Sequence, residues 1–332
     1  MIYDFTDLKK SEKLPELILN FLNYLETIKG KSPNTIDAYK IDLTLFFRFL
    51  KIYREEISNI EFDLIDISSV DIKFIRAVRL SELYAFMSFL EKYRNNSAYA
   101  RARKVATLKS FFKYLQNKEK LIDDNPTLEL ESPKINKRHP VYLNLNQSIT
   151  LLNSLDKKNK NYPRDFCIIT FFLNCGMRLS ELCNIELDKI KDDTLTIIGK
   201  GNKERTVYLN EACLSALSDY LIVRDPSKSS LEDSNFLFLS NRGRKINKRT
   251  VEIMVKKSTC NAGLTDQKYT PHKLRHTAAT LMYKHGDVDI RALQSILGHE
   301  SISTTQIYTH VDDEALRDAV KRNPLSHLGE KK

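Results

Sequence analysis

A histidine and a tyrosine near the end of the chain, His299 and Tyr308, form the first pair of residues that could do chemistry. Tyr308 follows His299 by nine residues, across a run rich in serine and threonine. A helix should end just before this run, because Gly298 is a typical helix stop. That helix carries apolar residues at helical spacing, namely Ile290, Leu293, Ile296 and Leu297. A tyrosine hydroxyl held against an electrophile and surrounded by cations can act as a covalent nucleophile. The alternative is a half-buried aromatic side chain whose hydroxyl faces water.

Two cationic residues occupy special positions upstream. Arg178 directly follows a strongly apolar predicted helix. Its guanidinium is either in a structural ion pair, with Glu181 three residues later, or held rigidly as an anion ligand. Lys200 lies between Gly199 and Gly201 at the tip of a predicted hairpin. Such a lysine can enter a partner's groove, although an ordinary exposed turn lysine has the same pattern.

A second histidine and arginine open another predicted helix. Thr270 before Pro271 is a strong helix start. His272 and Arg275, three residues apart, share one face of the first turns, where free N–H groups and the helix dipole favour anions. Like charges on one face disfavour stability, so the pair indicates a phosphate site. His276 is interpreted as a packing residue rather than a catalytic one.

Composition narrows the class of protein. The 332 residues suffice for two domains, and 53 Lys+Arg against 43 Asp+Glu give a net charge of +10. That excess favours a polyanionic partner, which is DNA, RNA or an anionic membrane. The five cysteines contain no CxxC pair, which argues against a disulfide framework or zinc cage and for a reducing cytosol. No apolar run approaches the roughly 20 residues that span a bilayer, and the first residues lack an export signal. We therefore expect a cytoplasmic protein that does not enter membranes.

The spacing of apolar residues is helical over most of the chain, which predicts a mainly α protein with a small β-hairpin. Two short strands are predicted at 194–198 and 205–209. The stretch 54–70 shows no clean period. Helices are predicted near 14–30, 33–50, 71–93, 97–117, 145–156, 163–175, 210–223, 248–261, 271–285, 288–297 and 312–322.

The prolines at 126, 133 and 140 indicate a linker, so we predict a helical domain at 1–127, a basic linker at 128–141 and a second domain at 142–332. Basic residues at several places could contact a phosphate backbone. Each of them could equally belong to a solvated surface. The candidate DNA contacts are Arg103 and Lys113 on the helix at 97–117, Lys137 and Arg138 in the linker, and Lys248 and Arg249 at the start of the helix at 248–261.

Four motifs in order resemble the tyrosine recombinase, or lambda-integrase, family, and the most similar members are the compact Xer-type enzymes. The motifs span about 130 residues, and together they are far more specific than any one alone. They are Gly176-x-Arg178-x-Ser180-Glu181-Leu182, Gly199-Lys200-Gly201, His272-x-Leu274-Arg275-His276-Thr277, and Leu297-Gly298-His299 with Tyr308.

The resemblance implies a catalytic set and a mechanism. Two arginines would bind the non-bridging oxygens of a DNA phosphodiester and stabilise its transition state. Tyr308 would attack to give a 3′-phosphotyrosine, Lys200 would protonate the leaving 5′-oxygen, and His272 would act as acid or base. Neither a metal nor ATP is expected, because the cations supply the charge and the phosphotyrosine conserves the bond energy. The implied set is Arg178, Lys200, His272, Arg275, His299 and Tyr308.

The resemblance also implies an architecture and partners. An N-terminal helical core-binding (SAM-like) domain would precede a C-terminal mixed α/β tyrosine recombinase catalytic domain, with no additional arm-binding domain. A C-terminal helix would dock on a neighbouring protomer, in a homo- or hetero-tetramer on two double-stranded DNA duplexes. A paralogous recombinase and a DNA translocase are expected partners.

Four functions are compatible with this chemistry. The small size and the missing arm domain favour site-specific recombination through a Holliday junction, which resolves chromosome or plasmid dimers. A mobile-element integrase would use the same reaction. A type IB-like topoisomerase would relax DNA without a partner site, and an inert accessory protein would bind DNA without cutting it.

Overall fold

The structure, a computed structural model, describes residues 14–54, 60–135, 141–199, 204–227, 229–265, 268–286, 288–299 and 301–311. The chain divides into two compact units, Met1–Lys137 and Arg138–Lys332. The division falls inside the segment that the prolines mark as a linker.

The regular elements described in the first unit are all helices. Its core is rich in phenylalanine: Phe46, Phe47, Phe86 and Phe111 are fully buried and pack on one another. The helices are α1 (Glu16–Asn23, continued as a π-helix over Tyr24–Ile28), α2 (Pro33–Tyr53), α3 (Ile72–Arg76), α4 (Leu80–Lys92) and α5 (Ala98–Asn117).

The single helix predicted at 71–93 is wrong, because the structure breaks it into α3 and α4. Asp71 caps α3 by accepting a hydrogen bond from the Phe74 amide. The chain then turns, and Arg79 is extended, with φ −112° and ψ 156°. Glu82 accepts a hydrogen bond from the Arg79 amide at 2.8 Å and so starts a new helix. Glu82 is also tied to Arg54 at 2.7 Å, an interaction from outside the segment.

The ambiguous stretch before α3 is held by cations of α2 rather than by its own periodicity. Arg48 donates to the carbonyl of Ile65 at 3.1 Å, and Lys51 donates to that of Asp66 at 2.8 Å. A short 3-10 helix, Phe62–Leu64, is the regular element described there. Irregular backbone supported by side chains has no period, which explains why no secondary structure could be predicted for this stretch.

One apolar helix, Tyr162–Cys175, lies at the centre of the second unit and is buried along most of its length. Two later helices pack directly on it, Glu211–Val223 and Pro271–His285. The helices are α6 (Leu145–Asn153), α7 (Tyr162–Cys175), α8 (Leu179–Cys183), α9 (Glu211–Val223), α10 (Leu231–Ser234), α11 (Lys248–Asn261), α12 (Pro271–His285), α13 (Ile290–Leu297) and α14 (Ile302–Thr305). Two 3-10 helices complete the unit, at Leu187–Lys189 and Gln306–Val311.

A small antiparallel sheet lies between α8 and α9. Its strands are β1 (Ile190–Lys191), β2 (Thr194–Ile198) and β3 (Glu204–Tyr208), in the order β1-β2-β3. The predicted hairpin is confirmed, with Leu195 opposite Val207, and β1 adds a short edge strand that was not predicted. The hairpin tip with Lys200 and the predicted helix at 312–322 lie outside the described residues.

The predicted fold class is therefore confirmed: mainly helical, with one small sheet in the second unit. Among the helices described, none combines the length and the apolar character needed to cross a membrane.

Candidate active site

Arg178 is positioned by the abrupt end of the central helix. Helix α7 stops at Gly176, which has φ +57°, and Arg178 then becomes the N-cap of the short helix α8. Glu181 accepts a hydrogen bond from the Arg178 amide and another from its Nη1, both at 2.7 Å. The Arg178 Nη2 donates to the carbonyl of Gly298 at 2.9 Å. The side chain therefore remains about one-third exposed while being held in one orientation.

Glu181 is the anionic centre of the site and binds a second arginine from the sheet. Arg205 on β3 donates to both oxygens of Glu181, at 2.8 and 3.1 Å. Burial alone would raise the pKa of Glu181, but hydrogen bonds from Arg205 and Arg178 lower the pKa overall. The carboxylate is therefore charged at neutral pH and forms the ion pair with Arg178 that the spacing of the two residues indicates.

Arg205 lies outside the four motifs, although the sequence contains a signal for it. It precedes Val207 by two residues on a strand, so the two side chains share a face. Val207 is buried in the core. An arginine on the core face of a strand needs an anionic partner, and Glu181 provides it.

Arg275 is the most enclosed cation of the site. It is 3% exposed, and its Nη2 donates to the carbonyl of Leu297 at 2.7 Å. Its Nη1 lies 3.7 Å from Glu181 Oε2 and has no hydrogen-bond acceptor among the described residues. Burial and the nearby Arg178 lower the pKa of Arg275 to about 10, so the side chain remains charged at neutral pH. One nitrogen of this guanidinium is therefore a charged, buried donor whose hydrogen bonds the described residues do not satisfy.

The turn after α13 connects both arginines to His299. Helix α13 ends at Gly298, which has φ +63°. The two carbonyls of this turn, Leu297 and Gly298, accept the hydrogen bonds from Arg275 and Arg178. His299 follows, and its Nδ1 lies 2.9 Å from Thr305 Oγ1. Burial, Arg275 and Arg178 lower the pKa of His299 to about 4, so its ring is neutral at neutral pH.

Tyr308 is buried beside this turn. It lies in the 3-10 helix Gln306–Val311, is 1% exposed, and packs against Ala279, Leu293 and Leu297. Burial raises the pKa of Tyr308 to about 12, although the charge of Arg275 acts in the opposite direction. The hydroxyl is therefore protonated at neutral pH, and it needs a proton acceptor before it can act as a nucleophile.

The side chain that contacts the Tyr308 hydroxyl is His276, which the sequence interpretation treated as packing. His276 Nδ1 lies 2.6 Å from the hydroxyl, and His276 Nε2 lies 3.0 Å from Nε2 of His272. Burial and the neighbouring His272 and Arg275 lower the pKa of His276 to about 4. The interpretation as packing did not predict this hydrogen bond to Tyr308. The available signal was the spacing of four residues, which places His276 on the same helix face as His272.

Of the six predicted catalytic residues, five lie in this region, and Lys200 lies outside the described residues. Three side chains meet at one turn, namely Arg178, Arg275 and His299, and Tyr308 packs against Leu297 of the same turn. His272 reaches Tyr308 through His276. In the described part of the chain, no three His, Cys, Asp or Glu side chains are grouped as a metal site would require. The arrangement offers fixed arginine side chains that can bind an anion and a tyrosine that can act as a nucleophile.

The candidate DNA contacts are distributed over both units. Lys113 is exposed on α5, whereas Arg103 on the same helix forms an ion pair with buried Asp42 at 2.6 Å. Lys248 and Arg249 are exposed in the first turn of α11, where the side chain of Asn247 caps the helix. Lys137 and Arg138 lie outside the described residues.

Comparisons with known proteins place this chain in a family. The family model "Phage integrase family" matches residues 142–315, and the model "Phage integrase, N-terminal SAM-like domain" matches residues 18–119. The tyrosine recombinase XerC of Caldanaerobacter subterraneus subsp. tengcongensis is 59% identical over 315 residues, which cover 95% of this chain and 88% of the relative. The tyrosine recombinase XerD of Proteus mirabilis is 34% identical over 303 residues, which cover 91% of this chain and 90% of the relative.

A solved structure shares the fold over nearly the whole length. The XerH site-specific recombinase, bound to its difH substrate in a pre-cleavage complex, superposes with a TM-score of 0.65. The match covers 94% of this chain and 97% of that one, at 24% sequence identity. The family models and the curated relatives show that the chain belongs to the phage integrase family, as a site-specific DNA recombinase of the Xer tyrosine recombinase type.

Proposed function

We propose that this recombinase resolves chromosome or plasmid dimers, cutting and rejoining DNA through a 3′-phosphotyrosine on Tyr308 and a Holliday junction. The observation that carries the chemistry is the guanidinium of Arg275, buried and charged, with its Nη1 lacking an acceptor among the described residues. A buried charged donor without a partner is costly unless a ligand supplies the acceptor. A scissile phosphate would supply it.

Each remaining residue has a distinct role in the proposal. Arg178, fixed by Glu181 and the Gly298 carbonyl, binds a second phosphate oxygen and shares its developing charge with Arg275. His299, neutral and hydrogen-bonded to Thr305, donates to the phosphate. Lys200 protonates the leaving 5′-oxygen, and His272 acts as acid or base.

Dimer resolution is favoured over mobile-element integration by similarity along the chain. Relatives named XerC and XerD each align with more than nine-tenths of it. On this proposal the protein acts in the cytoplasm, on double-stranded DNA, as a tetramer on two duplexes. A paralogous recombinase and a DNA translocase are the proposed protein partners. Arg103, Lys113, Lys137, Arg138, Lys248 and Arg249 are the proposed DNA contacts.

The test uses a nicked duplex that carries a candidate recombination site. After cleavage the short strand end next to the nick diffuses away, so rejoining fails and the covalent intermediate accumulates. The wild type should give a protein–DNA adduct, and Tyr308→Phe should give none. The matched control is Tyr283→Phe, since Tyr283 packs in the same apolar cluster; this variant should still form the adduct.

Three outcomes would overturn the proposal. An adduct that persists in Tyr308→Phe would reject that tyrosine as the nucleophile. Relaxation of a plasmid lacking any such site would favour a topoisomerase. Efficient exchange between sites of a mobile element and a chromosome, without resolution of a plasmid with two direct repeats, would favour an integrase.

A further inference from the structure

The hydroxyl of Tyr308 contacts a residue to which the proposed mechanism gives no role. His276 Nδ1 lies 2.6 Å from this hydroxyl, which is a short hydrogen bond. The rings of His276 and Tyr308 are 5.6 Å apart between centroids. His272, the residue expected to act as acid or base, instead meets the far nitrogen of His276, at 3.0 Å. The three side chains therefore form a chain of hydrogen bonds that begins at the nucleophile.

We propose that His276 is a catalytic residue: it holds the Tyr308 hydroxyl and takes its proton during attack, while His272 receives a proton from the other nitrogen of His276. The inference rests on the proposed role of Tyr308 as the nucleophile and deepens it. It gives the acceptor role to His276 and makes His272 the outer end of a relay.

Protons and bonds balance along this chain. The Tyr308 oxygen forms a bond to phosphorus as the bond from phosphorus to the 5′-oxygen breaks. The Tyr308 proton moves to Nδ1 of His276, and the proton on Nε2 of His276 moves to Nε2 of His272. The leaving 5′-oxygen takes its proton from Lys200. Rejoining reverses every transfer, so His272 and His276 return a proton to Tyr308.

The environment of His276 keeps its ring neutral. Its ring is half-buried, whereas His272 at the start of the same helix is accessible to solvent. Four groups face or influence the ring, namely His272, Arg275, His299 and the Tyr308 hydroxyl. Arg275 disfavours a lasting positive charge on His276. Burial, Arg275 and Arg178 also lower the pKa of His272, so the transferred proton leaves the relay through the solvent that His272 contacts. Burial lowers the pKa of His276 to about 4, which leaves the ring neutral and able to accept.

A substrate with a sulfur atom at the bridging 5′ position isolates this step. A thiolate leaves without protonation, so cleavage no longer depends on Lys200 and its rate reports on activation of Tyr308. Single-turnover cleavage of this nicked substrate would be followed for the wild type, His276→Ala and His276→Asn across a range of pH. The matched control is His285→Ala, at the exposed end of the same helix.

We expect His276→Ala to cleave about 10²-fold more slowly, as for loss of a general base. Its rate should rise about tenfold per pH unit, because solvent must now remove the Tyr308 proton, whereas the wild-type rate should change little near neutral pH. His276→Asn can still hydrogen-bond to the hydroxyl but cannot relay a proton, so it should show the same rise with pH. His285→Ala should match the wild type.

The inference is overturned if His276→Ala cleaves within about threefold of the wild type, a change too small for loss of a general base. It is also overturned if both variants are slow but show the wild-type dependence on pH, which would mean that His276 only supports the structure.

Thermal melting and DNA binding of each variant identify a folding defect. If His276→Ala has such a defect, His276→Asn carries the test. Tyr308→Phe separates the two proposals: an adduct in that variant rejects the nucleophile itself. If Tyr308→Phe forms no adduct and His276→Ala cleaves normally, the relay alone is rejected.

Discussion

Arg205 and Glu181 form a two-pronged ion pair between a strand and a short helix, with N–O distances of 2.8 and 3.1 Å. Glu181 is 3% exposed and also binds Arg178, so one carboxylate positions two guanidinium groups and lies 3.7 Å from a third, that of Arg275. The cationic site therefore depends on an anion that would contact no substrate.

Replacing Glu181 by glutamine should both destabilise the protein and slow cleavage. The change removes the charge that compensates buried arginines, and breaking such a pair costs about 3–5 kcal/mol. Urea unfolding would measure the loss of stability, and adduct formation would measure cleavage. The control is Glu252→Gln, an exposed glutamate that pairs with Arg249 at 3.7 Å; it should cost less than about 1 kcal/mol. Equal effects of the two substitutions would contradict the central role of Glu181.

Alanine at Gly298 should disturb the turn that accepts hydrogen bonds from both arginines. Gly298 has φ +63°, and an added Cβ would lie 3.0 Å from the Arg205 side chain. The left-handed backbone alone costs about 1–2 kcal/mol. Displacement of Arg205 adds to this cost and should also slow adduct formation.

Gly263→Ala is the matched control for that substitution. Gly263 has φ +71° and no atom within 4 Å of an added Cβ, so it bears the backbone cost without the contact. We expect it to lose stability in urea unfolding but to keep its cleavage rate. If Gly298→Ala behaved like Gly263→Ala in both measurements, the contact with Arg205 would have no consequence.

The sequence predicts elements whose signals are local. Helix α12 begins at Pro271, as the Thr270-Pro271 pair predicts, and the glycine at the end of α13 is left-handed as expected. The break between α3 and α4 was missed because it depends on Glu82, whose partner Arg54 lies in another helix. Propensity within the segment contains no information about that partner.

The same distinction applies to the site. The spacing of the motifs predicts Arg178, His272, Arg275, His299 and Tyr308 as site residues, and the structure places these five in one region. The motifs do not predict the contacts of Arg205 with Glu181 and of His276 with Tyr308, because the partners are 24 and 32 residues away in sequence. Spacing identifies which residues recur together, but a hydrogen bond between distant segments requires the fold.

Acidification should destabilise the protein partly through its buried imidazoles. The pKa of His299 and that of His276 are each lowered to about 4 in the folded chain, against roughly 6.5 for an unfolded histidine. Between these values the unfolded chain binds protons that the folded chain does not, so the free energy of unfolding falls as pH falls from about 6.5 to about 4. Urea midpoints at several pH values would measure this loss.

The imidazole contribution can be isolated by substitution. His276→Asn and His299→Asn should each lose less stability over this pH range than the wild type, because neither asparagine titrates. His285→Asn, at an exposed position, should follow the wild type. Identical pH dependence in all four proteins would show that carboxylates alone cause the acid sensitivity.

Two basic residues on α5 should affect DNA binding in different ways. Lys113 is exposed, so Lys113→Ala should weaken DNA binding at low salt and reduce the slope of affinity against salt by about one ion, without changing stability. Arg103 also pairs with Asp42, which is 1% exposed. Arg103→Ala should therefore lower the free energy of unfolding by about 1–3 kcal/mol in addition to any loss of affinity.

Binding titrations at several salt concentrations, with urea unfolding of each variant, would measure both the affinity and the stability. Lys92→Ala, at the exposed end of α4, is the control and should leave both unchanged. A salt slope that falls equally for Lys92→Ala and Lys113→Ala would show that the general charge of the unit, rather than a contact by α5, drives binding.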